Sequence, residues 1–569
     1  MEDPIQAGLR LAISGKTEEA LSYFLDILSS HSDNAEILNL IGALYGEKKE
    51  WRLAESYITQ ALSIRPGTAS FLENLGLALA GQQKLVEAVD CYESALQIHP
   101  RNATIYLNLA VALLELNRLD DCLSAVSSAI SLGLQTERIF NIRGVALSKI
   151  GNTAAAIDSF KLSLRVNPHF TEALINYAKL LTTEGNIHEA LRALDQAVSA
   201  EPSNPIARNN RASARFRVGD DTAALYDVEI ALKVSPNYLD ARLTRASILA
   251  ELARFDEALE EVEAVLKVDP SRSEAKWNKG LLLLLRGDFK EGWQLYESGL
   301  ECGQRKPRTF PQSRWTGQPL RGKTIFLYHE QGYGDTIQFC RFTAVLAQEG
   351  ARVILEVPPK LFSLLRSLEG VNSLLTTGAK LPDFDFHSPL LSIPSALSNR
   401  GVDAPPVRKY LSINCEKVRA WESRLGVCDK PRLGVAWSGS AKNPRNDRRN
   451  IPLASLLGRL PQGYEYVSLQ TNINESDAEA LAGSGIRHFG DELTDFSDTA
   501  ALCELCDRVI TIDTSVAHLN AALGRPTEVL LGEVPDWRWM LDRTDTPWYP
   551  TMTLNRTLRP FSVTRTSGT

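Results

Sequence analysis

The residues best suited to chemistry form a short run late in the chain, Arg508-Val509-Ile510-Thr511-Ile512-Asp513-Thr514-Ser515-Val516-Ala517-His518. β-Branched apolar residues begin it as a strand. Asp513, Thr514 and Ser515 then turn it into an apolar helical stretch that stops at Gly524. The first N–H groups of a helix have no intrahelical partner and lie at the positive end of its dipole. A strand ending in small hydroxyl residues at a helix start is therefore suited to an anion. Thr514 and Ser515 would add hydroxyl donors, and His518, one turn in, would face the same ligand. An ordinary N-cap by Asp513 or Thr514, with His518 on the surface, accounts for the same residues.

Three further loops could contribute. Phe326 to Phe339 reads strand, then Gly332-Tyr333-Gly334-Asp335, then helix, and the two glycines let backbone approach closely. Asp335 at the helix start is suited to act as a general base on an acceptor hydroxyl, or simply to cap the helix. The dinucleotide fingerprint is absent, since its third glycine and downstream acid are missing. The stretch from Leu433 to Pro452 places Ser438 in a small-residue loop, followed by Lys442, Arg445, Arg448 and Arg449. Such a loop receives phosphates, or is a solvated basic loop. Gln470, at the end of the next strand, offers an amide to a base or ribose. Trp537, in Asp536-Trp537-Arg538-Trp539, is suited either to flooring a nucleotide or to the core.

The elements that position these loops alternate. Apolar strands are expected at 324–329, 352–357, 384–387, 432–437, 464–469, 487–489, 508–512 and 527–531, with helices between them. This alternation predicts parallel sheets with helices on both faces. A break near 426–431 divides the region into two Rossmann-like lobes, 323–426 and 427–569, with ligands expected in the cleft at the strand C-terminal ends. Residues 304–322, rich in Pro, Gly and basic residues, read as a connector without regular structure, packed down by Phe310 and Trp315.

Upstream, small residues recur at Gly8, Gly42, Gly76, Ala110, Gly144, Ala178, Ala212, Ala246 and Gly280, each step being 34 residues. A second ladder runs from Ala20 through Ala54 and Ala88 to Gly292. A third ladder, of prolines from Pro66 to Pro270, marks the ends of helix pairs and lacks a member at Gly133-Leu134, where looseness is expected. Over 1–303 this gives about nine helix–turn–helix units that bury their apolar faces only by stacking. Two residues before each first-ladder position, Asn occurs at 74, 108, 176, 210 and 278. Asn carries both donor and acceptor, so a row of them can hold an extended peptide by its backbone.

The chain has 569 residues and a formal charge of -7, which argues for several domains and against a nucleic-acid partner. No apolar run is long enough to span a membrane, and Met1-Glu2-Asp3-Pro4 lacks the character of a secretory signal. The eight cysteines are scattered; Cys503 and Cys506 lack a second pair at zinc-like spacing. Reduced core thiols, a cytoplasmic location and no metal site are the expectation.

The ladders resemble the tetratricopeptide repeat. Glu330-Gln331-Gly332-x-Gly334-Asp335, Arg449-Asn450-Ile451-Pro452, Asp513-Thr514-Ser515-x-x-His518 and Pro535-Asp536-Trp537-Arg538-Trp539 resemble a family-9, heptosyltransferase-like glycosyltransferase domain. The resemblance implies an α-solenoid (a TPR superhelix) followed by an α/β GT-B fold, an architecture similar to O-linked N-acetylglucosamine transferase. It also implies an inverting, metal-independent transferase that moves a sugar from a nucleotide donor to Ser or Thr of a protein in the repeat groove. Some members glycosylate flagellin with a nonulosonic acid, which makes flagellin the implied partner and a CMP-nonulosonate the implied donor. By motif, Asp335 would be the catalytic base. Arg449 would neutralise the leaving phosphate, which Thr514, Ser515 and His518 would hold. Ser515 stands where that family has Gly, and no closing C-terminal helix is recognisable. A non-enzymatic scaffold or chaperone with a degenerate sugar-nucleotide fold is the competing reading, and a transferase acting on glycans a third.

Overall fold

A computed structural model describes residues 4–30, 33–401, 409–439 and 449–556. The described residues up to 300 form helices in nine pairs, from Pro4–Ile13 with Thr17–Ser30 to Ser273–Arg286 with Phe289–Tyr296 and its short 3-10 extension. The reason for the first ladder is steric. A Cβ on Gly8, Gly42, Gly76 or Gly144 would lie 2.3–2.6 Å from Phe24, Ile58, Tyr92 or Phe160 on the second helix of the same pair. The turn between the helices has one residue in the left-handed region in every pair, and at Lys49, Gln83, Asn117 and Ala253 that residue is not glycine. At the Gly133-Leu134 junction the helix end is closed by hydrogen bonds, from the Leu134 N–H to the Ala129 carbonyl at 3.1 Å and from the Gly133 N–H to the Ile130 carbonyl at 2.9 Å.

The chain divides into two compact units, and the division falls inside the repeats. One unit is Met1–Val218 with Tyr226–Pro236; the other is Gly219–Leu225 with Asn237–Thr569. Within the second unit the reason is packing. Leu284, Leu285, Trp293 and Tyr296 of the last repeat enter the same buried cluster as the strands and helices downstream.

Among the described residues ten strands follow: β1 Ser313–Arg314, β2 Thr324–Tyr328, β3 Arg352–Val357, β4 Ser373–Thr376, β5 Phe386–Pro389, β6 Arg432–Ala436, β7 Glu465–Ser468, β8 Arg508–Ile512, β9 Thr527–Leu530 and β10 Met552–Asn555. They form two five-stranded sheets, ordered β1-β5-β2-β3-β4 and β10-β9-β8-β6-β7, and every pairing is parallel. Several expectations are corrected. The connector is partly regular, because β1 pairs with β5, and it is packed down as its aromatics implied, with Trp315 buried. Arg487–Phe489 is no strand but a single bridge from Arg487 to Val467. β4 and β10 are additional.

Helices do not cover both faces of the first sheet alike. The face bearing Phe326, Tyr328 and Ile354 packs on Phe310, Leu381 and Phe384 from non-helical segments. The Arg308 guanidinium lies 5.0–5.5 Å over the Phe310, Phe326 and Tyr328 rings and pairs with buried Glu356. The helix Cys415–Leu425, counted with the first lobe, packs on the second, where Trp421 and Lys417 both donate to Asp498. Cys503 and Cys506 are buried free thiols, and burial pushes Cys506 up to about 12.

Candidate functional site

The second unit brings the two principal loops together at the C-terminal ends of β2 and β8. The helix Tyr333–Phe339 lies against the helix Ser515–Ala522. A Cβ on Gly334 would stand 2.9 Å from the His518 ring and 3.5 Å from the Ser515 Cα, so glycine is required by this helix contact. Asp335 accepts from the Gly332 N–H at 2.8 Å, and its other oxygen accepts from Arg538. Asp335 thus takes part in closing the helix start and pairs with Arg538.

Arg538 is the centre of the arrangement. Its guanidinium is buried over the Trp537 ring at 4.2 Å. It pairs with Asp335 and, at 2.8 Å, with Asp536, and donates to the Gln338 side-chain oxygen at 2.9 Å. The motif that contains Arg538 does not by itself assign it a role. A lone cation between two tryptophans was the available signal. Asp513 sits nearby. Burial, then the Asp536 charge, raise its pKa to about 6, against the opposing pull of Arg449 and Arg538. Arg449 donates to the Asp513 carbonyl at 3.3 Å. Three carboxylates and two guanidiniums thus meet at the helix start.

Several residues expected to touch a ligand are instead engaged internally. His518 is 4 % exposed, its ring stacked on Trp539 at 5.2 Å and its Nδ1 3.1 Å from the Tyr549 hydroxyl. Burial, reinforced by Arg538 and Arg341, holds it well below the usual histidine range, so it is neutral and not a surface group. Arg341, also unremarked in the sequence, anchors this layer. It lies over the Tyr410 and Tyr549 rings and donates to the Trp548 carbonyl at 2.7 Å. Trp537 is a core residue and not a nucleotide floor, packed against Trp293 at 5.1 Å and Tyr296 at 6.0 Å. Gln470 is 8 % exposed. It accepts from the Trp437 and Ser438 N–H groups at 3.2 and 3.3 Å and donates to the Ser438 hydroxyl at 2.7 Å, so both Gln470 and Ser438 shape their loop. Thr514 caps the helix, accepting from the Val516 N–H. Ser515 is half-buried at the helix start. Lys442 lies outside the described residues, as do Arg445 and Arg448.

The connector ties this site to the last repeat. Arg305 is buried, donates twice to Glu330 just before the glycine turn, at 2.7 and 3.1 Å, and once to Glu297 at 2.9 Å. Two cavities, of about 600 and 360 Å³, lie elsewhere in the unit; both reach Glu528 and Asn555. Among the described residues no group of three or more His, Cys, Asp or Glu is placed to hold a metal ion, and no helix is long and apolar enough to cross a membrane.

In the repeats, the Asn row runs along the first helices and is partly engaged. Asn74 donates to Asn39 at 3.0 Å, Asn108 to Glu73 at 3.3 Å and Asn176 to Asn141 at 3.1 Å, each reaching the preceding pair. Asn210 and Asn278 are half-buried.

Comparison with known proteins identifies the class of the helical region first. Tetratricopeptide-repeat profiles match residues 44–103 and 243–307, and 79–143 and 150–214, so the chain carries tetratricopeptide repeats. The helical region is also similar to Protein FlbA of Caulobacter vibrioides, 26% identical over 298 residues. The match spans 47% of this chain and 49% of FlbA, about half the length of that relative. Among solved structures, the Cut9–Hcn1 hetero-tetramer of the APC/C is 15% identical, with a TM-score of 0.41 over 49% of this chain and 55% of that one. A tetratricopeptide repeat protein from Parabacteroides merdae is 24% identical, with a TM-score of 0.38 over 44% of this chain and 99% of that one.

Proposed function

We propose that the chain is a protein O-glycosyltransferase, with the repeats holding an extended segment of the acceptor and the paired parallel sheets forming a GT-B unit that binds a nucleotide sugar. The supporting observation is the meeting of the Gly332–Asp335 turn with the start of the Ser515 helix, each at the C-terminal end of a strand in a different sheet. In this reading Asp335 takes the proton of an acceptor Ser or Thr hydroxyl. The freed oxygen bonds to the anomeric carbon as the bond from that carbon to the leaving phosphate breaks. Arg449, the helix dipole and the Ser515 hydroxyl stabilise the charge that develops on the phosphate. Arg538 orients Asp335, and the ion pair must loosen for the carboxylate to accept a proton. Flagellin and a CMP-nonulosonate are the first acceptor and donor to try.

The test is intact mass of flagellin after incubation with the full chain and CMP-activated nonulosonic acid, then with other sugar nucleotides. The expected result is an added sugar mass that disappears with Asp335→Asn and with Arg449→Ala. A specific observation favours a second reading, a non-enzymatic repeat scaffold. Ser438, Gln470, Thr514, His518 and Trp537 are all engaged in internal contacts. Calorimetry with CMP, UDP, GDP and ADP separates the two, because a scaffold binds none of them.

A further inference from the structure

The first helices of the first unit change charge abruptly along the stack. Those of the second to fourth pairs, Ala35–Glu47, Ala69–Gly81 and Ala103–Glu115, carry Glu36, Glu47, Glu73 and Glu115 and no lysine or arginine. Those of the fifth to seventh, Glu137–Ile150, Thr171–Thr183 and Pro205–Arg217, carry eight bases and two acids. Three of the bases, Arg208, Arg211 and Arg215, turn inward to Asp227. Arg138, Lys149, Lys179 and Arg217 are exposed, as are Glu36, Glu47 and Glu115 on the acidic side.

The 34-residue register sets these side chains in rows. One row runs Glu47, Gly81, Glu115, Lys149, Thr183, Arg217, and its sign reverses between Glu115 and Lys149. Another runs Ala43, Leu77, Val111, Val145, Lys179, Ser213, and is apolar as far as Val145, with Leu77 41 % exposed. Contacts between successive first helices place both rows on one continuous face. Asn74 reaches Asn39, Asn108 reaches Glu73, Asn176 reaches Asn141, and Arg217 donates to the Thr182 carbonyl at 3.0 Å. Glu172 is the exposed acid within the basic half, and the Asn141 amide partly engages it at 3.5 Å.

We infer that this face is bipolar by construction and fits one kind of partner: an extended polypeptide segment with lysines or arginines at one end, an apolar middle, and aspartates or glutamates at the other. The inference rests on the peptide-groove reading of the repeats and adds to it the composition and polarity of the segment. Opposite charge fixes the direction in which the segment lies, while the Asn amides hold its backbone whatever its side chains. A nucleic acid is excluded as occupant of the whole face, because half of it would meet carboxylates.

The test is selection of a random-peptide display library on the purified full chain, followed by fluorescence anisotropy of the winning peptide at low and high salt. The expected winners carry bases and acids segregated to opposite ends, and bind at least about tenfold more weakly at high salt. The combined variant Glu36→Lys, Glu47→Lys, Glu115→Lys, with its helix content checked by circular dichroism, is expected to select peptides whose formerly basic end has become acidic. Winners without charge segregation, or an unchanged selection by the reversed face, overturn the inference and leave the groove standing. No enrichment at all, or binding untouched by Asn74→Ala, Asn108→Ala and Asn176→Ala together, overturns the groove reading itself. A dimer in sedimentation that the charge reversal dissociates assigns the face to a second copy of the chain and overturns the inference as well.

Discussion

Two buried ion networks, one in each unit, are near mirror images. In the seventh helix pair a fully buried acid, Asp227, is shared by Arg208, Arg211 and Arg215. In the α/β region a buried base, Arg538, is shared by Asp335 and Asp536. Burial alone would raise the Asp227 pKa, but the Arg211 and Arg208 guanidiniums outweigh it and hold the carboxylate below its usual range. The difference lies in what each network replaces. Thirty-four residues upstream of Arg208, Arg211, Arg215 and Asp227 stand Leu174, Tyr177, Leu181 and Ala193, all buried and apolar or aromatic. The repeat network is thus an ionic version of an apolar core, flanked by solvent on the arginine side. The Arg538 network replaces nothing periodic. It joins residues 203 positions apart and lies where the two sheets' loops meet. A core that exchanges apolar for ionic contacts keeps its shape. A network that links two sheets positions groups that would otherwise repel one another.

The largest effect should come from Arg538→Met. It removes the counter-charge from two partly buried carboxylates, and the second unit should lose about 3–5 kcal/mol in chemical denaturation followed by tryptophan fluorescence. A loss under about 1 kcal/mol would show that Asp335 and Asp536 are well solvated, and would break the comparison. Asp227→Asn should cost less, about 2–3 kcal/mol, because Arg208, Arg211 and Arg215 keep some contact with water once their partner is gone. Loss of far-UV circular dichroism at lower denaturant, with the α/β tryptophans unaffected, is the expected reading.

His518 gives a pH test confined to the second unit. Its folded pKa is depressed, so the unfolded chain binds a proton more readily. Stability is then complete above the unfolded value of about 6.5 and falls as pH drops below it, by about 2 kcal/mol on reaching pH of about 5. Asp513 acts with the opposite sign. Its folded pKa is raised to about 6, so its contribution is favourable at low pH and is lost as pH rises through about 6. His518→Phe should therefore flatten the acid limb of the thermal midpoint, and an unchanged limb would place the titration elsewhere. The smallest effect is local. Ala253 occupies the left-handed turn at φ 57°, where its Cβ is strained, and Ala253→Gly should stabilise the chain by about 0.5–1 kcal/mol. At Gly151, φ 89° in the equivalent turn, Gly→Ala should have the reverse sign.

How much was legible follows the same division. β3 and β8 begin and end where the alternation of apolar residues put them, at Arg352–Val357 and Arg508–Ile512. The helix pairs follow the ladders because a missing Cβ and its large partner lie 16 residues apart in the same unit, as Gly76 and Tyr92 do. β1 was hidden because two residues of strand carry no period. β4 shows no alternation, its four residues all being half-buried. At the site, the pattern implies an open cleft shared by the glycine turn and the Ser515 helix, whereas the structure packs Gly334 directly against His518. The fates of His518, Trp537 and Gln470 were not legible, since each is set by groups distant in sequence: Tyr549 with Trp539, Trp293 with Tyr296, and Trp437 with Ser438.

The sequence by itself determined the repeats, their register and the segregation of charge along the first helices, because a fixed 34-residue period repeats the same local environment and exposes the same positions each time. It also determined that parallel sheets follow, through the alternation of strands and helices. Only the tertiary structure decided which polar side chains near the strand ends remain at the site and which are engaged inside. Hydrogen bonds and ring contacts between distant segments claim a donor or an aromatic face irrespective of the local pattern that brought it there.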